Sequence, residues 1–182
     1  LMGEAGNDVL TGGAGNDHIA GNGNDDVLYG DEGDDEISGD DGVTPGQHHG
    51  ADYLDGGAGV DKLWGNGGDD ELYGGAGNDH LEGDYATLDG QYHGDDLLDG
   101  EEGDDELIGG GKDDLLYGGS GNDKLSGDAG EGMSLDAQYH GRDELHGEDG
   151  DDLLIGGGQA DLLYGGEGAD RLEGDGEGVA AE

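Results

Sequence analysis

The sequence predicts an all-β solenoid, and three observations predict it. A nine-residue unit recurs along almost the whole chain. Three of its positions are fixed in residue type. The composition also leaves no other route to a packed fold: of 182 residues, 48 are glycine and 49 are Asp or Glu, five are basic, and the formal net charge is −44. High charge with few aromatics ordinarily reads as a disordered chain that repels itself when compact. Something positive has to be added before this one can pack.

The unit is plain when the chain is read in nines. From Gly12 it runs GGAGNDHIA, GNGNDDVLY, GDEGDDEIS, and from Gly56 GGAGVDKLW, GNGGDDELY, GGAGNDHLE. From Gly100 it runs GEEGDDELI, GGGKDDLLY, GGSGNDKLS, and from Gly147 GEDGDDLLI, GGGQADLLY, GGEGADRLE. A first unit begins at Gly3, and three longer ones begin at Gly39, Gly83 and Gly127, making sixteen. Position one is always Gly. Position six is always Asp: Asp8, Asp17, Asp26, Asp35, Asp52, Asp61, Asp70, Asp79, Asp96, Asp105, Asp114, Asp123, Asp143, Asp152, Asp161 and Asp170. Position eight is always Leu or Ile, from Leu10 and Ile19 to Leu163 and Leu172. A solubilising linker would not hold Asp and Leu in fixed phase.

The pattern GGxGxDxUx, with U a large aliphatic, resembles the haemolysin-type RTX calcium-binding repeat. The resemblance covers nearly the whole chain. It implies a right-handed parallel β-roll with two repeats per coil, about eight coils here, in which six residues make a turn and three a short strand. It also implies Ca2+ between turns stacked on the same side. Each turn would offer carbonyls and its position-six Asp, so that Asp17 shares an ion with Asp35, and Asp35 with Asp61. Calcium suits such a site because it takes six to eight oxygens from carboxylates and carbonyls. Glycine at positions one, two and four is expected to serve backbone with φ > 0.

In the strand the position-eight aliphatic points inward and its neighbours outward. The core is then one side chain thick from each sheet, too thin to hold the fold alone, and binding energy becomes folding energy. The roll is expected over residues 1–173, with 174–182 the opening of a further repeat in which Val179 stands where Asp is due.

Alternating repeats fall on two edges. The even edge carries Asp17, Asp35, Asp61, Asp79, Asp105, Asp123, Asp152 and Asp170 and has no interruption; its eight turns enclose seven expected ion sites. The odd edge carries Asp8, Asp26, Asp52, Asp70, Asp96, Asp114, Asp143 and Asp161, where further sites are expected. It also carries insertions of eight, eight and eleven residues after Gly39, Gly83 and Gly127, which end QHHGAD, QYHGDD and QYHGRD. Its four repeats that end in Tyr depart from the pattern, with Gly at position three and Asn24, Gly68, Lys112 or Gln159 at position four. Two readings are open for Gln47, Gln91, Gln138, His49, His93 and His140: a repetitive ligand-binding edge, or residues that tie each loop back to the roll. The pair His48–His49 is poorly placed for chelation. The odd sheet is expected to show an apolar outer face (Val9, Val27, Tyr29, Tyr53, Tyr73, Leu97, Leu115, Tyr117, Leu162 and Tyr164), either a docking face or cross-strand packing. Trp64 lies outward on the other sheet.

No nucleophile elbow, zinc-protease helix, phosphate loop or EF-hand loop is present in the sequence. The expectation is a module without enzymatic activity. The acidic balance disfavours nucleic acid, and no apolar run is long enough to insert in a membrane. By the same resemblance, the chain is a calcium-binding, calcium-folded segment of a larger secreted bacterial polypeptide, extracellular or at the cell surface. The alternative is an adhesive module whose insertion row meets a surface ligand or glycan.

Overall fold

The computed structural model describes residues 1–40, 49–85, 90–128 and 135–174. The remaining residues, which include Gln47, His48 and Val179, lie outside the described residues. Sixteen strands alternate between two parallel sheets. Strands β1 (Val9–Ala14), β3 (Val27–Glu32), β5 (Tyr53–Ala58), β7 (Glu71–Ala76), β9 (Leu97–Glu102), β11 (Leu115–Ser120), β13 (Glu144–Asp149) and β15 (Leu162–Glu167) follow the odd-edge turns. Strands β2 (His18–Ala20), β4 (Glu36–Ser38), β6 (Lys62–Asn66), β8 (His80–Asp84), β10 (Glu106–Gly110), β12 (Lys124–Asp128), β14 (Leu153–Ile155) and β16 (Arg171–Glu173) follow the even-edge turns. Each sheet stacks its eight strands in sequence order. This is a parallel β-roll with two repeats per coil.

Register follows the nine. Leu28 pairs with Leu54, Leu54 with Leu72 and Leu72 with Leu98, while Ile37, Leu63 and Leu81 align on the opposite sheet. The inward aliphatics from Ile19 to Leu154 are fully buried and form one core; Leu10 and Leu163 cover its ends and are partly exposed. Strands on the odd sheet are longer than the three residues expected. They run six residues because the first half of the following even-edge turn stays in register, as in Gly13↔Asp31 and Ala58↔Ala76. Uninterrupted turns can stack this way. Strands of the even sheet run into the odd edge, where insertions break the stack, and they have three to five residues.

The outer faces are laddered. On the odd sheet Tyr29, Tyr53 and Tyr73 are spaced 5.8 and 5.4 Å between ring centres, and His146 is stacked between Tyr117 and Tyr164 at 4.8 and 4.7 Å. Most of that face is half-buried by its own neighbours, which is cross-strand packing; Val9, Leu162 and Tyr164 near the ends are exposed. On the even sheet two glutamates each stand between a histidine and a lysine. His18 and Lys62 flank Glu36 at 3.3 and 3.8 Å, and His80 and Lys124 flank Glu106 at 3.2 and 2.9 Å. Exposed pairs of this kind add little stability. They do keep two of the five basic side chains on one face.

Candidate metal centres

The position-six aspartates form a ladder along each edge. On the even edge the Asp17 N–H donates to Asp35 Oδ1 at 2.7 Å, and the step repeats from Asp35 to Asp61, Asp79, Asp105, Asp123, Asp152 and Asp170 at 2.7–3.1 Å. The odd edge does the same, from Asp8 to Asp26, Asp52, Asp70, Asp96, Asp114, Asp143 and Asp161, also at 2.7–3.1 Å. Lys112 and Gln159 do not interrupt it. Insertions do not either, because each returns the chain to register: His49 pairs with Asn24 and His93 with Gly68 in the coil before.

One carboxylate oxygen is therefore used, and the other is not. Oδ2 is buried with no hydrogen-bond partner in Asp8, Asp26, Asp35, Asp52, Asp61, Asp70, Asp79, Asp96, Asp105, Asp114, Asp123, Asp143 and Asp152. A lone buried polar atom is costly, and a buried charge more so. Its neighbours are oxygen as well. A Cβ added at Gly100 would meet Asp105 Oδ2 at 2.5 Å and the Gly118 carbonyl oxygen at 2.6 Å. At Gly12 it would meet Asp17 Oδ2 at 2.8 Å and the Gly30 oxygen at 2.9 Å. Each gap thus brings the carboxylate of one turn toward the carbonyl of the next. Among the described residues no three His, Cys, Asp or Glu side chains gather on one point. The donors are carboxylates mixed with peptide carbonyls, all oxygen and partly anionic. That set fits a hard cation such as calcium and not a soft metal that prefers thiolate or imidazole.

Electrostatics agree with that fit. Burial, the largest cause in each case, pushes the carboxyls of Asp61 and Asp123 up to about 6, Asp52 and Asp105 to about 7, and Asp96 and Asp143 to about 8. Neighbouring aspartates of the same ladder add to the rise at Asp52, Asp61, Asp105 and Asp123. The fold holds these groups where a negative charge is unfavourable unless a positive one arrives.

Glycine at position one has a different reason from the one the sequence suggested. Left-handed backbone occurs at positions two and four, as at Gly75 (φ +102°) and Gly77 (φ +147°), and not at Gly74 of the same turn. Position one is glycine because its Cα closes on the carboxylate and the next carbonyl. Gly100→Ala is accordingly expected to weaken one even-edge ion, between the turns of Asp105 and Asp123, at least tenfold. A calcium titration that resolves the ion number checks this, with Ser120→Ala on the exposed surface as control.

The fold and these gaps define a class: a parallel β-roll of the calcium-binding kind, with oxygen cages at its turns. The family model for the RTX calcium-binding nonapeptide repeat matches residues 1–28, 14–43, 50–81, 93–111, 99–133 and 141–176. The chain belongs to that family, whose repeats bind calcium. No curated protein matches the chain significantly.

Proposed function

We propose that this chain folds when it binds calcium, with the sixteen position-six aspartates as its carboxylate ligands. Ions would sit in the gaps between successive turns, seven on the even edge and more on the odd. Each would take the unused Oδ2 of an aspartate, together with carbonyls such as that of the position-one glycine in the next coil. The observation that carries this reading is the column of buried, unpartnered Oδ2 atoms, which runs along both edges from Asp8 to Asp152 and lies beside carbonyl oxygen. A divalent ion per gap satisfies those atoms and cancels the repulsion between stacked carboxylates.

The setting we propose is extracellular. Chains poor in bound calcium would stay unfolded inside a cell and fold in the millimolar calcium outside. No helix among the described residues is long and apolar enough to cross a membrane. The chain would serve as a folding module of a larger secreted polypeptide and carry no chemistry of its own. Calorimetric titration of calcium into the chelator-stripped chain tests the proposal. Seven or more ions are expected to bind at millimolar calcium or below. Absence of binding at several millimolar would overturn it.

A further inference from the structure

Three odd-edge turns carry insertions of eight, eight and eleven residues, and each opens with Gly-Asp and closes with His-Gly. The structure gives those flanks a shared arrangement. Asp84 Oδ2 accepts the N–H of Gly94 at 3.2 Å, which closes its own turn, and that of Gly111 at 3.4 Å in the next odd-edge turn. Asp128 divides the same work between two oxygens: Oδ1 accepts from Gly141 at 3.2 Å and Oδ2 from Gly158 at 2.5 Å. Asp40 Oδ2 accepts from Gly50 at 3.1 Å. All three carboxylates are buried. By contrast Asp31, Glu101 and Glu148, the position-two acids of the even edge, are exposed. The imidazoles complete the arrangement, with His93 Nδ1 3.7 Å from Asp84 and His140 Nδ1 3.2 Å from Asp128.

The short turn that follows is shaped to receive this group. A Cβ at Gly110 would collide with Asp84, and one at Gly157 with Asp128. A Cβ at Gly111 would run into His93 Nδ1, and one at Gly158 into His140 Nδ1. These contacts account for the Gly-Gly-Gly runs at 109–111 and 156–158. Farther out, the Tyr92 and Tyr139 rings lie 6.5 and 6.2 Å from His49 and His93 of the preceding insertion. Their carbonyls accept the N–H of Gly68 and of Lys112 at 3.2 and 2.8 Å.

We infer that Asp84 and Asp128, with His93 and His140, are positioning residues for the odd-edge ions. Each clamp fixes a peptide two residues before a ligand aspartate in its own turn (Gly94 before Asp96, Gly141 before Asp143). It also fixes one three residues before the ligand in the next (Gly111 before Asp114, Gly158 before Asp161). It sets both walls of one gap, whatever the length of chain inserted between its two ends. The inference rests on the calcium reading above.

Calcium titration of the full chain tests it. Asp84→Ala is expected to weaken one odd-edge ion at least tenfold and leave the even-edge ions and the saturated circular dichroism spectrum unchanged. Asp84→Asn, which keeps one acceptor oxygen, is expected to fall between Ala and wild type, and His93→Ala likewise. Replacing residues 86–89 with Gly-Ser-Gly-Ser is expected to bind as wild type does. A part in general stability alone would lower the melting temperature at constant ion number. That outcome overturns the inference, as does an Asp84→Asn titration superimposable on wild type. If Asp84→Ala does not fold, the Asn and His93 variants decide. Wild type that takes up no calcium would instead overturn the function reading, and this inference with it.

Discussion

Stripped of calcium at neutral pH, the chain is expected to lose its sheets and expand. The core is a single aliphatic ladder from each sheet, with Leu54, Leu72 and Leu98 stacked in one and Leu63, Leu81 and Leu107 in the other. Against that core stand two columns of buried carboxylates, one rung per coil. Neighbouring strands are about 4.8 Å apart. Two like charges near 5 Å repel by roughly 3 kcal/mol at an effective dielectric constant of about 20. Each rung is repelled from above and below, so the penalty accumulates along the roll. A divalent ion in each gap reverses its sign. Small-angle scattering should report a radius of gyration of roughly 45 Å for the unfolded chain, far above the roughly 16 Å of a compact chain of this length and above any elongated roll of eight coils. Circular dichroism should lose its β signature in parallel, and added calcium should restore both. A compact, ordered chain in excess chelator would sink the proposal.

Much of this architecture was legible in the sequence because the nine-residue period carries it. Fixing Asp and Leu at positions six and eight fixes the turns and the inward face. Alternating the units then gives two sheets with strands in order, and the even and odd sets of aspartates emerge as the two ladders. What the period does not carry are contacts between unlike coils. The clamp of Asp84 on Gly111 spans 27 residues, and that of Asp128 on Gly158 spans 30. Each is two repeats plus the inserted eight or eleven residues plus one, a sum that the period of nine does not make visible. A signal was there, since Gly-Asp, His-Gly and a later Gly-Gly-Gly occur together at the second and third insertions. Position-one glycine was legible as a requirement and misread in its cause. Sequence alone does not separate a backbone that needs left-handed φ from a Cα that faces a carboxylate.

The second large effect is of pH, and its direction differs for the fold and for the ion. In the roll without calcium, burial holds Asp61 and Asp123 near 6, Asp52 and Asp105 near 7, and Asp96 and Asp143 near 8, against 3.8 for an ordinary Asp. Between about pH 4 and 8 the folded chain therefore binds more protons than the unfolded one, and its stability falls as pH rises through that window. Stability from these groups is present below the unfolded value and is lost as pH passes the folded values. Acid thus stands in for calcium: in chelator, lowering pH from 7.5 to 5 is expected to draw the chain back toward compactness. Calcium affinity moves the other way. Protons and ions compete for the same oxygens, so the half-saturating calcium concentration should rise as pH falls from 7.5 to 5.5, with protons released on binding. Scattering and calcium titration across this range separate the two trends. A chelated chain as expanded at pH 5 as at 7.5 would mean that the buried carboxylates are not what opposes folding.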